Sequence, residues 1–321
     1  MFRTSWIDYI HGLQDRICAA LEAEDGQARF HEDAWQRAEG GGGRTRVIAN
    51  GAVFEKGGVN TSVVFGPVTD AMRTHLRIDG ANWFACGLSL VLHPRNPFVP
   101  TVHCNYRMFE LSDDAGHVTD RWFGGGTDLT PYYLFDEDAR HFHGVYKDVC
   151  DRFDPAFYPN FKKACDDYFV NTHRSGERRG IGGIFYDYQR ATPDKPTEFW
   201  MNFGMACGDA FIEAYGPIVA RRKEMPYTDE NRHWQEIRRG RYTEFNLVHD
   251  RGTLFGLKTG GRIESILMSL PPTVRFEYDH RPSPGSPEDD LLQACLHPRD
   301  WLETPLSDEE RAEWARRSNS C

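Results

Sequence analysis

Two periodicities alternate along the chain. Near the start Trp6, Ile10, Leu13, Ile17 and Leu21 recur every three or four residues, the stripe of an amphipathic helix. A second helical segment is expected at about 28–38, leading into a loop at Gly40–Gly43, with strand-like segments at 44–55 and 59–65 joined by Lys56-Gly57-Gly58. The clearest period of two lies in 83–92 and 99–109, separated by His93-Pro94-Arg95-Asn96-Pro97, a proline-punctuated turn. Side chains alternate between faces of a strand, so Leu88, Leu90 and Leu92 share one face and Ser89, Val91 and His93 the other. On the second strand His103, Asn105 and Arg107 fall together, opposite Cys104, Tyr106 and Met108. Paired, the two strands carry a polar face beside an apolar layer.

A turn at 113–116 and a strand at 119–123 lead into Gly124-Gly125-Gly126, where three glycines imply unusual backbone angles or close approach to a ligand. Asp128 follows after Thr127, either facing that ligand or capping a turn. Helices are expected at 136–153 and 155–174, carrying His141, His143 and His173. His141 and His143 are two apart, so on a helix they point to nearly opposite sides. A strand at 182–188, a loop at 193–196 and helices to about 239 follow, including an apolar one at 201–215 and a charged one at 228–239 behind a Thr cap. Segments 242–248 and 253–258 read as a hairpin around a turn at 249–252, and 274–278 as a last strand. Gly260 and Gly261, at the start of segment 263–270, are placed to expose backbone N–H groups that with Arg262 suit a carboxylate. A Pro/Ser-rich linker at 282–287 and two short helical pieces end the chain. No repeat or interior linker divides it, which favours a single domain.

Composition narrows the class. At 321 residues, 40% of them hydrophobic, the chain can bury a sizeable core. A net charge of −10 argues against a general affinity for nucleic acid or anionic membranes, so an anionic substrate requires locally concentrated Arg and Lys. The 8 cysteines form no CxxC pair and read as reduced, mostly buried thiols. The start lacks a signal-peptide core and no apolar run approaches the ~20 residues of a membrane span, so a soluble, cytoplasmic protein with no transmembrane segment is expected.

No phosphate-binding loop, dinucleotide fingerprint, HExxH or nucleophile elbow is present. The remaining candidates, His93, His103, Asn105, Arg107, Asp128 and Arg262, favour proton transfer and carboxylate binding over covalent catalysis.

Six blocks, occurring in order across about residues 40–278, carry a resemblance: GGGRTRVIANGAVFEKGGVNTSVVFG, HPRNPFVPTVHCNYRMFE, RWFGGGTDLTPYYLFDEDARHFH, KKACDDYF, RGIGGIFYDY and YTEFNLVHDRGTLFGLKTGGRIESILMSLPPTVRFEY. Together they resemble the oxygen-dependent coproporphyrinogen-III oxidases. The resemblance implies an α+β fold: a single domain with a large, mainly antiparallel sheet covered by helices on both faces, forming a homodimer. It divides the chain into N-terminal helices (1–39), a catalytic core (40–278) that includes a dimerisation region (242–278), and a C-terminal tail (279–321). The implied reaction is oxidative decarboxylation of the ring A and B propionates of coproporphyrinogen III to vinyl groups. It gives protoporphyrinogen IX, carbon dioxide and hydrogen peroxide, with molecular oxygen as co-substrate and no organic cofactor.

Carried over by position, His103 is the proton donor and Asp128 the acceptor for pyrrole N–H groups. Ser89, Asn105, Tyr106, Arg107, Gly260, Gly261 and Arg262 bind substrate. His93, His103, His143 and His173 match four histidines sometimes proposed as ligands of a divalent metal. Metal-independent chemistry is favoured, because His143 and His173 lie off the strand pair and helices must deliver them. A non-catalytic tetrapyrrole-binding protein and a His-ligated metal-dependent oxidase are the alternatives.

Overall fold

A computed structural model describes residues 2–76, 78–258 and 261–303. Helix α1 (Phe2–Asp25) uses the expected stripe: Trp6, Ile10, Leu13, Ile17 and Leu21 are all buried. Fully burying an aliphatic side chain of this kind contributes about 1.5–3 kcal/mol, so the stripe alone accounts for the docking of α1. Gln14 in its middle fixes the register, its Nε2 donating to Arg44 O (3.0 Å) and Val59 O (2.7 Å) of the sheet beneath.

That sheet has seven strands in the order β1-β2-β3-β4-β5-β6-β9, antiparallel at every pairing. Its first three strands are β1 (His31–Gln36), β2 (Gly41–Ala49) and β3 (Phe54–Pro67), followed by a short helix α2 (Asp70–Leu76). The centre is β4 (Asn82–Pro94), β5 (Thr101–Ser112) and β6 (Val118–Thr130). Helices α3 (Asp136–Asp151) and α4 (Phe157–Tyr168) and a small β7–β8 pair (Val170–Asn171, Glu177–Arg178) precede the edge strand β9 (Gly183–Arg190). Then come α5 (Thr197–Asp209), α6 (Phe211–Arg222) and α7 (Asp229–Glu244), the last opened by the expected Thr228, whose side chain accepts from Asn231 N in a capping box. A π-helical turn (Phe245–His249), α8 (Arg251–Lys258), α9 (Ile263–Leu267) and α10 (Pro287–Leu296) complete the chain.

The main core lies between one face of the sheet and α1, α3, α5 and α6. Leu88, Leu90, Leu92, Cys104, Tyr106 and Met108 all point into it, as the alternation required. The opposite face is covered at its two ends. Around β4's end, α7 and the 265–270 segment close over it, with His93 accepted into contact by Tyr242 and by Ser269 O. At the other end α2 packs over Leu111 and Trp122. The α+β architecture and single domain are as expected, and the seven described cysteines are free and buried. Among the described residues no helix is long and apolar enough to cross a membrane.

Six local expectations fail, each for a tertiary reason. The helix at about 28–38 is instead the edge strand β1, paired with β2 from His31↔Val47 to Gln36↔Gly42. The glycines of the expected loop enter β2, because the Trp35 ring lies over Gly43, where a Cβ would sit 2.5 Å from Trp35 Cζ2. Lys56-Gly57-Gly58 lies inside β3, and the chain turns earlier, at 50–53. The cause is Asp25 at the end of α1: its carboxylate accepts from the N–H groups of Ala28, Ala52, Val53 and Phe54 at 2.8–3.2 Å, and Asn50 takes a left-handed φ of 57°. The helix expected at 155–174 stops at Tyr168, and Arg179 N bonds back to Phe169 O. The expected 242–258 hairpin is helical on both sides of an extended Asp250, and 274–278 forms no strand, its Arg275 N donating to Glu236 O of α7.

Replacing Asp25 by Ala removes one charged acceptor and orphans several buried donors at once. We expect a loss on the order of 3 kcal/mol in urea unfolding at pH 7, with Asp25→Asn recovering only part of it.

Candidate active site

The polar face of the strand pair is one side of the central sheet, and the register sets its residues in rows. Asn60, Ser89, Asn105 and Gly126 lie side by side across β3, β4, β5 and β6. The next row holds Val91, His103 and Asp128, and the row on the other side holds Ser62, Gly87, Arg107 and Gly124. Glycines thus alternate with polar groups, leaving a floor low enough for a flat ligand to approach the backbone. Gly125, on the reverse face, is required for another reason: a Cβ there would meet Tyr106 and Tyr186 at 2.8 Å.

His103 and Asp128 face each other across β5 and β6, with His103 Nδ1 2.7 Å from Asp128 Oδ1. An ionised carboxylate only accepts, so Nδ1 carries the proton and Nε2 is turned away from Asp128. The other oxygen, Oδ2, accepts from Arg179 Nη2 at 2.7 Å. Arg179 in turn donates from Nη1 to Asn246 Oδ1 (2.8 Å) and is enclosed by the rings of Phe169, Tyr242 and Phe245, at 4.1, 4.6 and 5.0 Å from their centroids. The Asp128 and Arg179 side chains are only 3% and 2% exposed. Burial alone would push the Asp128 carboxyl up, but the Arg179 guanidinium and the His103 hydrogen bond together hold it below the usual carboxylate range. Burial likewise lifts Tyr242 to about 12, against the nearby Arg179 charge, so its phenol stays neutral. His103 remains the accessible end of this line, its side chain 21% exposed.

Arg107 lies at the other side of the face, donating from Nη1 to Asn105 Oδ1 (2.7 Å) and pairing through Nη2 with Asp187 Oδ2 (2.8 Å). Arg262, the residue before α9, donates from Nη1 to Ser265 Oγ (2.9 Å) and pairs with Asp33 of β1. Ser265 also bonds Thr45 Oγ1 at 2.8 Å, and Asn60 Nδ2 donates to Ser265 O at 3.1 Å, which ties this segment to the same sheet face. Arg262, far along the chain, is therefore held against the β1–β3 end of this sheet face.

Not every carried-over residue presents a free group to this face. The Tyr106 side chain is fully buried on the helix-covered face, where its hydroxyl bonds Thr127 Oγ1 and Cys207 O, so only its backbone is available to the open face. The Gly261 N–H is not presented to a ligand, since it donates to Gly256 O at 2.8 Å; Gly260 lies outside the described residues. The four histidines do not converge. His93 is bound to Thr101 Oγ1 and Ser269 O, and His143 to Tyr158 OH and Ile181 O, both fully buried. His173 stacks on His249, with its Nδ1 2.7 Å from His249 Nε2, and His103 is held by Asp128. Burial depresses His143 to about 3 and lowers His93 as well, so both are neutral near pH 7. No group of three or more His, Cys, Asp or Glu suited to a metal ion occurs among the described residues.

Sequence reasoning missed Arg179, Asn246, Asp187 and Asp33. Arg179 stands just before, and Asp187 within, the strand paired with the Asp128 strand, which was the one available signal; Asn246 and Asp33 come from separate elements and have none.

A rigid sheet face with a buried carboxylate, an imidazole and two arginines has the chemistry of an enzyme site able to take a flat, carboxylate-bearing ligand. The comparisons make this specific. The family model described as coproporphyrinogen III oxidase matches residues 5–301. Among curated relatives, the oxygen-dependent coproporphyrinogen-III oxidase, chloroplastic, of Glycine max is 54% identical over 303 residues, covering 91% of this chain and 78% of that protein. The enzyme of the same name from Nicotiana tabacum is 54% identical over 300 residues, covering 90% and 75%, and coproporphyrinogen-III oxidase 1, chloroplastic, of Arabidopsis thaliana is 51% identical over 303, covering 91% and 78%. The chain belongs to the coproporphyrinogen III oxidase family, and it is an oxidoreductase of the oxygen-dependent kind. The cytoplasmic expectation is corrected: these relatives are named as chloroplastic enzymes. Composition and reduced thiols describe any reducing aqueous compartment and do not select the cytoplasm.

Asp128→Ala leaves the Arg179 guanidinium buried without its anion, which is expected to cost about 3–5 kcal/mol in denaturant unfolding at pH 7. Because the folded carboxyl titrates below its ordinary value of about 3.9, this stabilisation is complete above that pH and is lost as pH falls through the lower folded value. The difference between wild type and variant is therefore expected to close only on strong acidification.

Proposed function

We infer that the chain converts coproporphyrinogen III to protoporphyrinogen IX by two successive oxidative decarboxylations, of the ring A and ring B propionates. In each, a propionate side chain and one O2 give a vinyl group, one CO2 and one H2O2, so the two electrons released leave on oxygen. Beyond family membership, the observation that supports this reading is the His103–Asp128–Arg179 line on the same sheet face as Arg107 and Arg262.

The substrate is a flexible macrocycle with inward-facing pyrrole N–H groups and outward-facing propionates. Asp128, kept ionised by Arg179, has lone pairs left to accept pyrrole N–H groups after serving its two partners. Its negative charge raises electron density on a pyrrole and favours direct reaction with oxygen. His103 supplies or accepts a proton at Nε2, with its Nδ1–H anchored on Asp128. Arg107, oriented by Asn105, and Arg262, oriented by Ser265, hold propionates, while Ser89 and the Tyr106 backbone line the floor. No organic cofactor is invoked, and metal-independent chemistry is the favoured reading because His93 and His143 commit both ring nitrogens to buried hydrogen bonds.

A homodimer formed through 242–278 belongs to the same reading. Its support is the exposed apolar run on that segment: Val248, Ile263 and Phe276 are 56%, 57% and 60% exposed. Sedimentation equilibrium is expected to give twice the chain mass, and Ile263→Asp to lower it towards one.

Feeding anaerobically prepared coproporphyrinogen III to metal-stripped protein and then admitting air tests the activity. Mass spectrometry is expected to show two successive losses of CO2, each with two hydrogens. Binding without product would instead favour a tetrapyrrole carrier or a metal requirement.

A further inference from the structure

The two arginines that carry the carboxylate-binding part of this reading are each paired with an aspartate of the chain itself. Arg107 Nη2 lies 2.8 Å from Asp187 Oδ2, and Arg262 Nη2 contacts Asp33. The two acids come from opposite edges of the sheet, Asp33 from β1 and Asp187 from β9. Both pairs are partly open to water, with side-chain exposures of 35% and 18% for Arg107 and Asp187 and of 29% and 44% for Arg262 and Asp33. Exposed pairs of this kind have little net strength and exchange partners readily. The enclosed Asp128–Arg179 pair has no such freedom.

The Asp187 pair is built into the backbone. Arg107 is on β5 and Asp187 on β9, with β6 between them, so the two side chains meet only by reaching across a strand. The residue beneath is Gly124, where a Cβ would lie 2.7 Å from Asp187 Oδ1 and 3.0 Å from Arg107 Nη2. Register shifts there: Phe123 pairs with Gln189 but Gly125 with Tyr186, so Gly124 alone faces both Asp187 and Tyr188. Tyr188 takes a left-handed φ of 54°, costly for a bulky aromatic residue, and its N–H donates to Asp187 Oδ1 at 2.9 Å. Bulges commonly re-aim a side chain beside an active site. Here the strained bulge and the bare glycine coincide at the point where a carboxylate is laid against Arg107.

We propose that Asp187, with Asp33 as its counterpart, is a resident carboxylate that competes with the substrate's propionates for the site's arginines. The proposal rests on the reading of Arg107 and Arg262 as propionate-binding residues. A propionate entering the site displaces an aspartate, and the aspartate reclaims the arginine when the ring moves. Asp187 acts through Arg107 and is a positioning residue, with no part in bond making. Its effect is to trade affinity for turnover. Two different propionates are consumed in succession, so the ring has to shift between them, and arginines that gripped every propionate without competition would slow that shift. Tight binding of the ground state gives no advantage once the site is saturated.

Asp187→Asn removes the charge while keeping the shape and an acceptor for the Tyr188 N–H. The Kd for coproporphyrinogen III measured without oxygen is expected to fall about three- to tenfold, KM to fall with it, and kcat to drop because release slows. Asp33→Asn is expected to act in the same direction, and Asp187→Glu to restore wild-type KM. A structural role predicts the opposite split, with KM rising as Arg107 loses its support. A rise in KM, or an unchanged Kd, would overturn the proposal. Arg107→Gln separates the two layers: it is expected to weaken binding about tenfold or more and to abolish the effect of Asp187→Asn in the double variant. If Arg107→Gln leaves Kd unchanged, the propionate reading itself falls and the competition with it. If Arg107→Gln weakens binding while Asp187→Asn changes nothing, only the competition is overturned.

Discussion

The ion pair between Asp128 and Arg179 is the constraint on which the site depends. Removing two charges from water is expensive, and the cost is recovered only where geometry and further hydrogen bonds are good. Here Asn246 and three aromatic rings complete the arginine, while His103 completes the aspartate. The elements that supply these groups are therefore locked together: β5 and β6 through His103 and Asp128, the segment before β9 through Arg179, and α7 with its π-helical continuation through Tyr242, Phe245 and Asn246. A π-helical turn widens the helix by one residue per turn, and such turns concentrate at functional sites. This one carries both Phe245 and Asn246 to the same guanidinium.

The arrangement divides labour between two kinds of charge. Buried charge is fixed: Asp128 stays ionised across the neutral range because Arg179 and the His103 hydrogen bond together outweigh its burial. Charge at the rim is less enclosed: Arg107 and Arg262 sit partly open to water, with aspartate partners that solvent weakens. On the proposed reading, a macrocycle with a polar centre and an acidic periphery is matched by a fixed anion and, further out, by displaceable cations. That reading assigns specificity to the spacing of these groups on a rigid sheet, and turnover to the weakness of the outer contacts.

Period-two alternation was sufficient to assign His103, Asn105 and Arg107 to one face and Tyr106 to the other. That assignment needed no partner information, because side-chain direction in a strand is a local property. The four histidines show the converse. The resemblance matched them to a proposed ligand set, yet His93 and His143 are buried in separate hydrogen-bonded niches. Likewise 242–258 is rich in strand-forming residues, but Tyr242 and Phe245 pack against the buried Arg179 from a helix and its π-helical continuation.

The sequence by itself determined the helix stripe of α1, the β4–β5 pair, the polar face between them, the Thr228 cap and the family. These are set by short-range periodicity, by capping chemistry and by long blocks of residues in order. Only the tertiary structure decided where β2 turns, that 31–36 is an edge strand, that Arg179 neutralises Asp128, and that Asp187 and Asp33 meet the two outer arginines. Each of those depends on a partner far away in the chain: Asp25 gathering the N–H groups of the β2–β3 turn, Trp35 needing Gly43 bare, Gly124 leaving room for a contact across a strand. The polar face of β4 and β5 was legible because each strand states its own alternation; the charges that make that face a site were not, because electrostatic partners are chosen by proximity in space.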